Sequence, residues 1–415
     1  MNQPVNFAAN RQTRTSTASI FLFRHTPLLL RLLSRLAVGQ LHLTLPNGVE
    51  TIYRGKIEGP HADLHIHDLR ALDAITQRAD IGLAESYRDG WLDSSDLLAV
   101  LQLALANEAI LTEAFNGKWY GKLAYRFKHW QNRNTRQGSQ KNIHAHYDIG
   151  NRFYALWLDP SMTYSSALFS HPEQSLADAQ TAKYARLFEA LNVKAGDRVL
   201  EIGCGWGGFA EYAARRGVHV TGVSLSREQL HYAHWRLHNL GLSHLTDLRF
   251  QDYRDITCEN GQPFDAIVSI EMIEAVGEAF WPSYCQQLHD LVKAGGQVAI
   301  QAITIDEAYF EGYRRSTDFI QQYIFLGGML ASPTRLQQEV ERVGLVWQQA
   351  HAFGHDYART LHAWRQQFEA HLPAIRQQGF DEGFIRLWRF YYLYCEAGFL
   401  SQRTSVYQLI LQRPQ

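Results

Sequence analysis

The sequence predicts an α/β fold, a doubly wound and mostly parallel sheet in the C-terminal part, preceded by a smaller α+β region. Three observations carry this. From about residue 175, short apolar runs alternate with helix-forming stretches, the pattern of a parallel sheet covered by helices. "LEIGCGWGG" places Gly203, Gly205 and Gly208 in G-x-G-x-x-G spacing just after the first of those runs. Before residue 70, apolar and polar residues alternate around a "PNG" turn. At 415 residues the chain exceeds one typical domain, so two are expected.

In chain order, residues 1–18 are polar and read as a mobile tail. "SIFLFRHTPLLLRLLSRL" (19–36) is apolar but interrupted by Arg24, His25, Pro27, Arg31 and Arg35, too broken for a membrane span. It reads either as a helix docked on its own domain or as one lying on an anionic surface. "QLHLTLPNGVETIYRG" and "ADLHIHD" predict strands of a small antiparallel sheet. Asp93, Ser94, Ser95 and Asp96 are candidate caps for the leucine-rich helix that follows. Residues 117–143 carry Lys and Arg interleaved with Trp, Tyr and Phe and contain no acid, so they read as a linker, a lipid-surface contact or a nucleic-acid contact. The strands expected next are 197–203, 219–226, 248–253, 264–272 and 296–304, and the C-terminal stretch reads as two aromatic-rich helices and a final strand.

The net charge of -1 gives no global attraction to nucleic acid or anionic lipid. Four scattered cysteines without C-x-x-C spacing argue against a disulfide framework or a zinc knuckle and fit a reducing compartment. No secretory signal is expected. His65 and His67 lie two apart on one strand face with His61 nearby, but a full set of metal ligands is not identifiable, and no metal is expected.

A glycine turn alone does not name its ligand; the surrounding residues do. Glu201, two residues before the first glycine, would repel a pyrophosphate and attract an ammonium group. Strand two ends in "GVSLS", so Ser224 stands where a dinucleotide ribose calls for an acid. Asp252 in "FQDY" closes a third strand, placed to accept a bond from an adenine amino group. An amino-acid end, a ribose and an adenine without phosphate describe S-adenosylmethionine (SAM) better than NAD.

With "HYDIGNRFYALWLDPSMTYSSALF", "LEIGCGWGG", "GVSLSREQ", "QDYRD", "IEMIEAVG" and "FGHDYARTLHAW", the chain resembles the cyclopropane-fatty-acyl-phospholipid synthases and the related mycolic acid methyltransferases. The likeness runs from about residue 80, counting "GLAESYRDGWLD" (82–93), to the C-terminus. It implies a Rossmann-like class I SAM-dependent methyltransferase fold over 144–415. It also implies a lipid-engaging α+β domain over 19–116, with 117–143 as the basic aromatic linker between them. The implied activity is methylene transfer from SAM to a cis double bond of a phospholipid acyl chain at the bilayer surface, giving a cyclopropane. Tyr164, Ser165, Gly203, Gly205, Ser224, Gln229 and Asp252 should line the SAM site. Glu274, Ile303 and Tyr357 should surround a bound bicarbonate ion that removes a proton from the intermediate cation. A cytoplasmic enzyme peripheral to the inner membrane, with no nucleic-acid partner and a homodimer as a further expectation, completes what the family implies.

Two positions depart from the best-known members, which carry Cys at Ser166 and His at Gln301, and Ala275 replaces a common His after Glu274. Gln301 and Ser166 still offer hydrogen bonds to an anion, but Gln cannot titrate near neutral pH as His does. If donors suffice, the product is a cyclopropane; if the base is weakened or moved, it is a methyl- or methylene-branched chain. A small-molecule N-methyltransferase and a non-catalytic lipid-binding protein are the remaining readings.

Overall fold

The computed structural model describes residues 26–115, 149–258 and 261–415. The first strands, β1 (Val38–Thr44), β2 (Glu50–Arg54), β3 (Ile57–Ile66) and β4 (Leu92–Asp93), form a sheet in the order β2-β1-β3-β4. β1 buries alternate residues, so Leu41 and Leu43 face the core as the period-two pattern predicts. The expected antiparallel sheet is corrected to a mixed one, because β1 pairs antiparallel with β2 but parallel with β3. The short link after β2 crosses the start of β1, where Gly55 N donates to Gly39 O at 2.8 Å. A Cβ on Gly55 would lie 2.4 Å from the Ala37 carbonyl carbon, so glycine makes this crossing possible.

Of the apolar segment before β1, Thr26–Leu33 forms a helix whose Leu29 and Leu32 are buried against the domain while Arg31 is exposed. This is the docked alternative. Asp96 caps the Leu97–Ala106 helix by accepting from Ala99 N at 3.0 Å. The basic aromatic segment 117–143, His144 and His146 lie outside the described residues. No described helix is long and apolar enough to cross a membrane.

The second sheet has seven strands in the order β10-β11-β9-β8-β5-β6-β7. β5 (Arg198–Ile202), β6 (His219–Ser224), β7 (Thr246–Phe250), β8 (Phe264–Ile270) and β9 (Val292–Ile305) run parallel. Covered on both faces, β5 and β8 are buried at nearly every residue, which is why they read as continuous apolar runs. β10 (Val346–Ala352) and β11 (Thr404–Gln412) add an antiparallel edge, and β10 was not foreseen. The two expected C-terminal helices are three, Gly354–Ala370, Leu372–Gln377 and Glu382–Leu400, because Pro373 opens a new helix just after His371.

One hydrophobic core joins the two regions, with Leu41, Leu64 and Leu72 in the same cluster as Trp364, Trp388 and Tyr392. The Glu382–Leu400 helix packs on the Arg70–Arg88 and Leu97–Ala106 helices. Its Arg386 donates to Leu92 O at 2.9 Å and Asp93 Oδ1 at 2.7 Å, and its Tyr394 hydroxyl donates to Asp80 Oδ2 at 3.0 Å.

Candidate active site

In an open parallel sheet, ligands sit beyond the carboxyl ends of the strands. There, β5 gives way to the turn of Gly203 and Gly205, both with positive φ (88° and 51°). A Cβ on Gly203 would come within 3.0 Å of the Met272 side chain, so the turn is closed to any larger residue without a shift. Just before it, Glu201 is buried, and its Oε2 has no hydrogen-bond partner. Burial pushes the Glu201 carboxyl well above its usual pKa, opposed by the nearby Lys183. An unpaired buried carboxylate oxygen beside a glycine turn suits the ammonium of an amino-acid ligand, so these residues fit SAM.

Of the remaining cofactor-binding candidates, Gln229 lies beside this turn, its Nε2 3.9 Å from where a Cβ on Gly205 would stand. Ser224 ends β6, donates to Gln229 Oε1 at 3.2 Å and accepts from Ser226 N at 3.1 Å. Ser226 in turn caps the Arg227–Asn239 helix. Asp252 follows β7 and accepts from Arg254 N at 3.0 Å, Nε at 2.8 Å and Nη2 at 2.6 Å, which fixes the carboxylate. Tyr164 shares a 2.9 Å hydrogen bond with the Tyr391 hydroxyl. Ser165 Oγ accepts from Lys183 Nζ at 2.6 Å.

Lys183 was not foreseen. It lies on the core-facing stripe of the Leu176–Leu191 helix, with Ala179, Gln180 and Leu187, and is fully buried. Burial lowers its pKa to about 7, against the pull of Glu271, Asp159 and Glu201. Its place in that stripe was the signal available in the sequence.

Three of the candidate catalytic residues, Ser166, Gln301 and Tyr357, meet at another unforeseen group, Glu271, the residue that follows β8. Its Oε1 accepts from Ser166 N and from Gln301 Nε2, both at 2.8 Å, and its Oε2 accepts from the Tyr357 hydroxyl at 2.8 Å. Register brings these elements together: Ile270 pairs with Gln301 of β9, and Gln301 pairs with Gln408 of β11. Gln408 Nε2 donates to Gln301 Oε1 at 3.0 Å, so the other end of the Gln301 amide faces Glu271. Ile303 N donates to Glu274 Oε1, and Glu274 Oε2 is buried with no partner. Burial, then the charge of Glu271, raises the Glu274 pKa to about 8. Burial also raises Glu271, while Lys183 and its three donors oppose that rise. Two neighbouring carboxyls with unlike surroundings separate into one that carries charge and one that keeps a proton.

Tyr357 also connects Glu271 to an aromatic cluster. Its ring lies 6.1 Å from Trp364 and 4.5 Å from Phe399, and Trp364 lies 5.3 Å from Tyr164, which meets Phe325 at 6.3 Å. Such faces stabilise a cation without bonding to it. The arrangement thus joins a buried carboxylate, through the Tyr357 hydroxyl, to a set of aromatic faces.

Residues 134–409 match the family model described as mycolic acid cyclopropane synthetase. The chain is similar to tuberculostearic acid methyltransferase UfaA1 of Mycobacterium tuberculosis, 38% identical over 92% of this chain and 90% of that protein. It is also similar to cyclopropane-fatty-acyl-phospholipid synthase of Escherichia coli K12, 33% identical over 85% of this chain and 88% of that protein. Among solved structures, mycolic acid cyclopropane synthase CmaA1 complexed with SAH and CTAB aligns with a TM-score of 0.61 and 26% identity, over 66% of this chain and 98% of that one.

Proposed function

The chain belongs to the mycolic acid cyclopropane synthetase family and is a SAM-dependent lipid methyltransferase, and we propose that it adds a methyl-derived carbon at the cis double bond of an unsaturated phospholipid acyl chain. The observation that carries this reading is the junction of Glu271, Tyr357 and the aromatic cluster. An alkene is a weak nucleophile, so it must be held in line with its electrophile in a dry site, where positioning supplies about 7 kcal/mol or more of the barrier. SAM supplies a methyl carbon on a sulfonium, whose C–S pair stays with sulfur as the alkene π pair forms the new C–C bond. Glu201 and the Gly203–Gly205 turn would hold its amino-acid end, Ser224 and Gln229 its ribose, and Asp252 its adenine. Tyr164, Trp364 and Phe325 would face the cation left on the acyl chain and keep water from it.

Bicarbonate does not fit this arrangement. Ser166 N, Gln301 Nε2 and the Tyr357 hydroxyl already donate to Glu271, and Ile303 N already donates to Glu274. No step is derived through it. Membrane contact belongs in this reading to the N-terminal region, where Val49, Ile52 and Ile57 are exposed.

A cyclopropane results when the proton leaves the added methyl carbon and the ring closes. The likeness to tuberculostearic acid methyltransferase, together with Ser166, Gln301 and Ala275, favours a second product, a methyl- or methylene-branched chain. The deciding experiment is mass spectrometry of acyl chains after purified protein meets methyl-labelled SAM and vesicles of cis-unsaturated phospholipid, before and after mild hydrogenation. A labelled chain that no longer takes up hydrogen is a cyclopropane. One that still takes up hydrogen is a methylene branch, and no labelled lipid overturns the proposal in favour of amine substrates.

A further inference from the structure

Ser166, Gln301 and Tyr357, three of the groups expected around a free anion, are spent on a carboxylate of the chain itself. Three N–H or O–H donors from three separate segments meet at Glu271, at 2.8 Å each. The Gln408 contact holds the Gln301 amide in the orientation that donates. We propose that Glu271 is the built-in counterpart of the bicarbonate ion and is the base that takes the proton released in the reaction. This inference rests on the reading of the site as one that passes through a cation on the acyl chain.

Backbone geometry points the same way. Glu271 has φ of 50°, a left-handed conformation that costs a non-glycine residue free energy and is kept where surrounding structure demands it. Its own N–H donates to Gln301 O at 2.7 Å, so the strained residue is anchored to the strand that also supplies a donor to its side chain. A carboxylate has about four lone-pair positions. Three are filled here, two on Oε1 and one on Oε2, which weakens the group as a nucleophile and leaves an Oε2 position to accept a proton. Tyr357, bonded to that same Oε2, lies against the rings that would face the cation.

The step balances without an outside reagent. The proton leaves the added methyl carbon, and its C–H pair either bonds to the neighbouring cationic carbon as the third ring bond of a cyclopropane or, after a 1,2-hydride shift has moved the cation to the methyl-bearing carbon, forms the C=C bond of a methylene branch. The proton passes to Glu271, which changes from carboxylate to carboxylic acid. Nothing is oxidised or reduced.

Two variants and two readouts test this. Glu271→Gln keeps the shape and cannot take the proton; it should lose about 100-fold or more of turnover while binding SAM as tightly as the wild type by calorimetry. Glu271→Gly suits the left-handed backbone and frees the three donors; its activity should be low in carbonate-free buffer and rise saturably, at least tenfold, on adding bicarbonate. Carbon-13 bicarbonate should show saturable line broadening with Glu271→Gly and none with the wild type. Stimulation of the wild type by bicarbonate, saturable binding of bicarbonate to it, or near-normal turnover of Glu271→Gln would each overturn the proposal. The bicarbonate-binding comparison needs no substrate, so a wild type that labels no lipid refutes the substrate reading alone.

Discussion

Replacing Glu201 by Gln separates what the fold tolerates from what the ligand needs. Glu201 is only 3% exposed, and its Oε2 lacks a partner, so in the free protein the group pays a desolvation cost that nothing fully offsets. Gln has the same shape and no charge to desolvate. Thermal stability should therefore stay the same or rise. A charge-assisted hydrogen bond to an ammonium contributes about 1.5–3 kcal/mol, which corresponds to roughly 10- to 150-fold in affinity. Glu201→Gln should weaken SAM by that factor in titration calorimetry. A variant that binds SAM within threefold of the wild type would refute the assignment of Glu201 to the ammonium.

The folded Glu274 pKa is raised from 4.5 to about 8, so its contribution to stability is complete below pH 4.5 and is lost as pH rises through 8; urea unfolding should show the wild type losing a few kcal/mol relative to Glu274→Gln between pH 5 and 8, whereas parallel curves would contradict it. Asp96→Ala removes the cap on Ala99 N and should cost about 1 kcal/mol in urea unfolding without changing SAM affinity. A Cβ on Gly208 would lie 2.4 Å from the Tyr184 hydroxyl, which is itself bonded to Thr163 at 2.8 Å. Gly208→Ala should thus cost about 1–3 kcal/mol, and Tyr184→Phe in the same chain should recover part of it, a non-additivity that a double-mutant cycle measures.

Sequence reasoning reached those parts whose pattern is set locally. β5, β6 and β8 are apolar because helices cover both faces, and that signal survives in the bare sequence. β10 is an edge strand with Gln348 and Gln349 in its middle, so it carries no such signal. The parallel pairing of β1 with β3 depends on where the chain crosses at Gly55, which no periodicity reports. At the site, the motifs pointed to Ser166, Gln301, Ile303, Glu274 and Tyr357; the fold gathers Ser166, Gln301 and Tyr357 on one carboxylate and bonds Ile303 to Glu274. The group at its centre was passed over, although Glu271 directly follows an apolar strand and so had to sit at the ligand-binding edge. Its left-handed backbone and its three donors from distant segments are tertiary properties, as is the burial of Lys183.

The Glu382–Leu400 helix serves two neighbours at once: Tyr391 reaches Tyr164 near the glycine turn, while Arg386 and Tyr394 hold the region before residue 116. That region is therefore packed on the same helix whose Tyr391 meets Tyr164. Cutting the gene between the two sheets would leave each half with a naked aromatic or aliphatic surface, and the fragments would be expected to aggregate rather than work as separable modules. Transplanting the catalytic sheet onto another membrane-targeting segment would require redesigning the outward side of one helix, a constraint on how such chains can recombine.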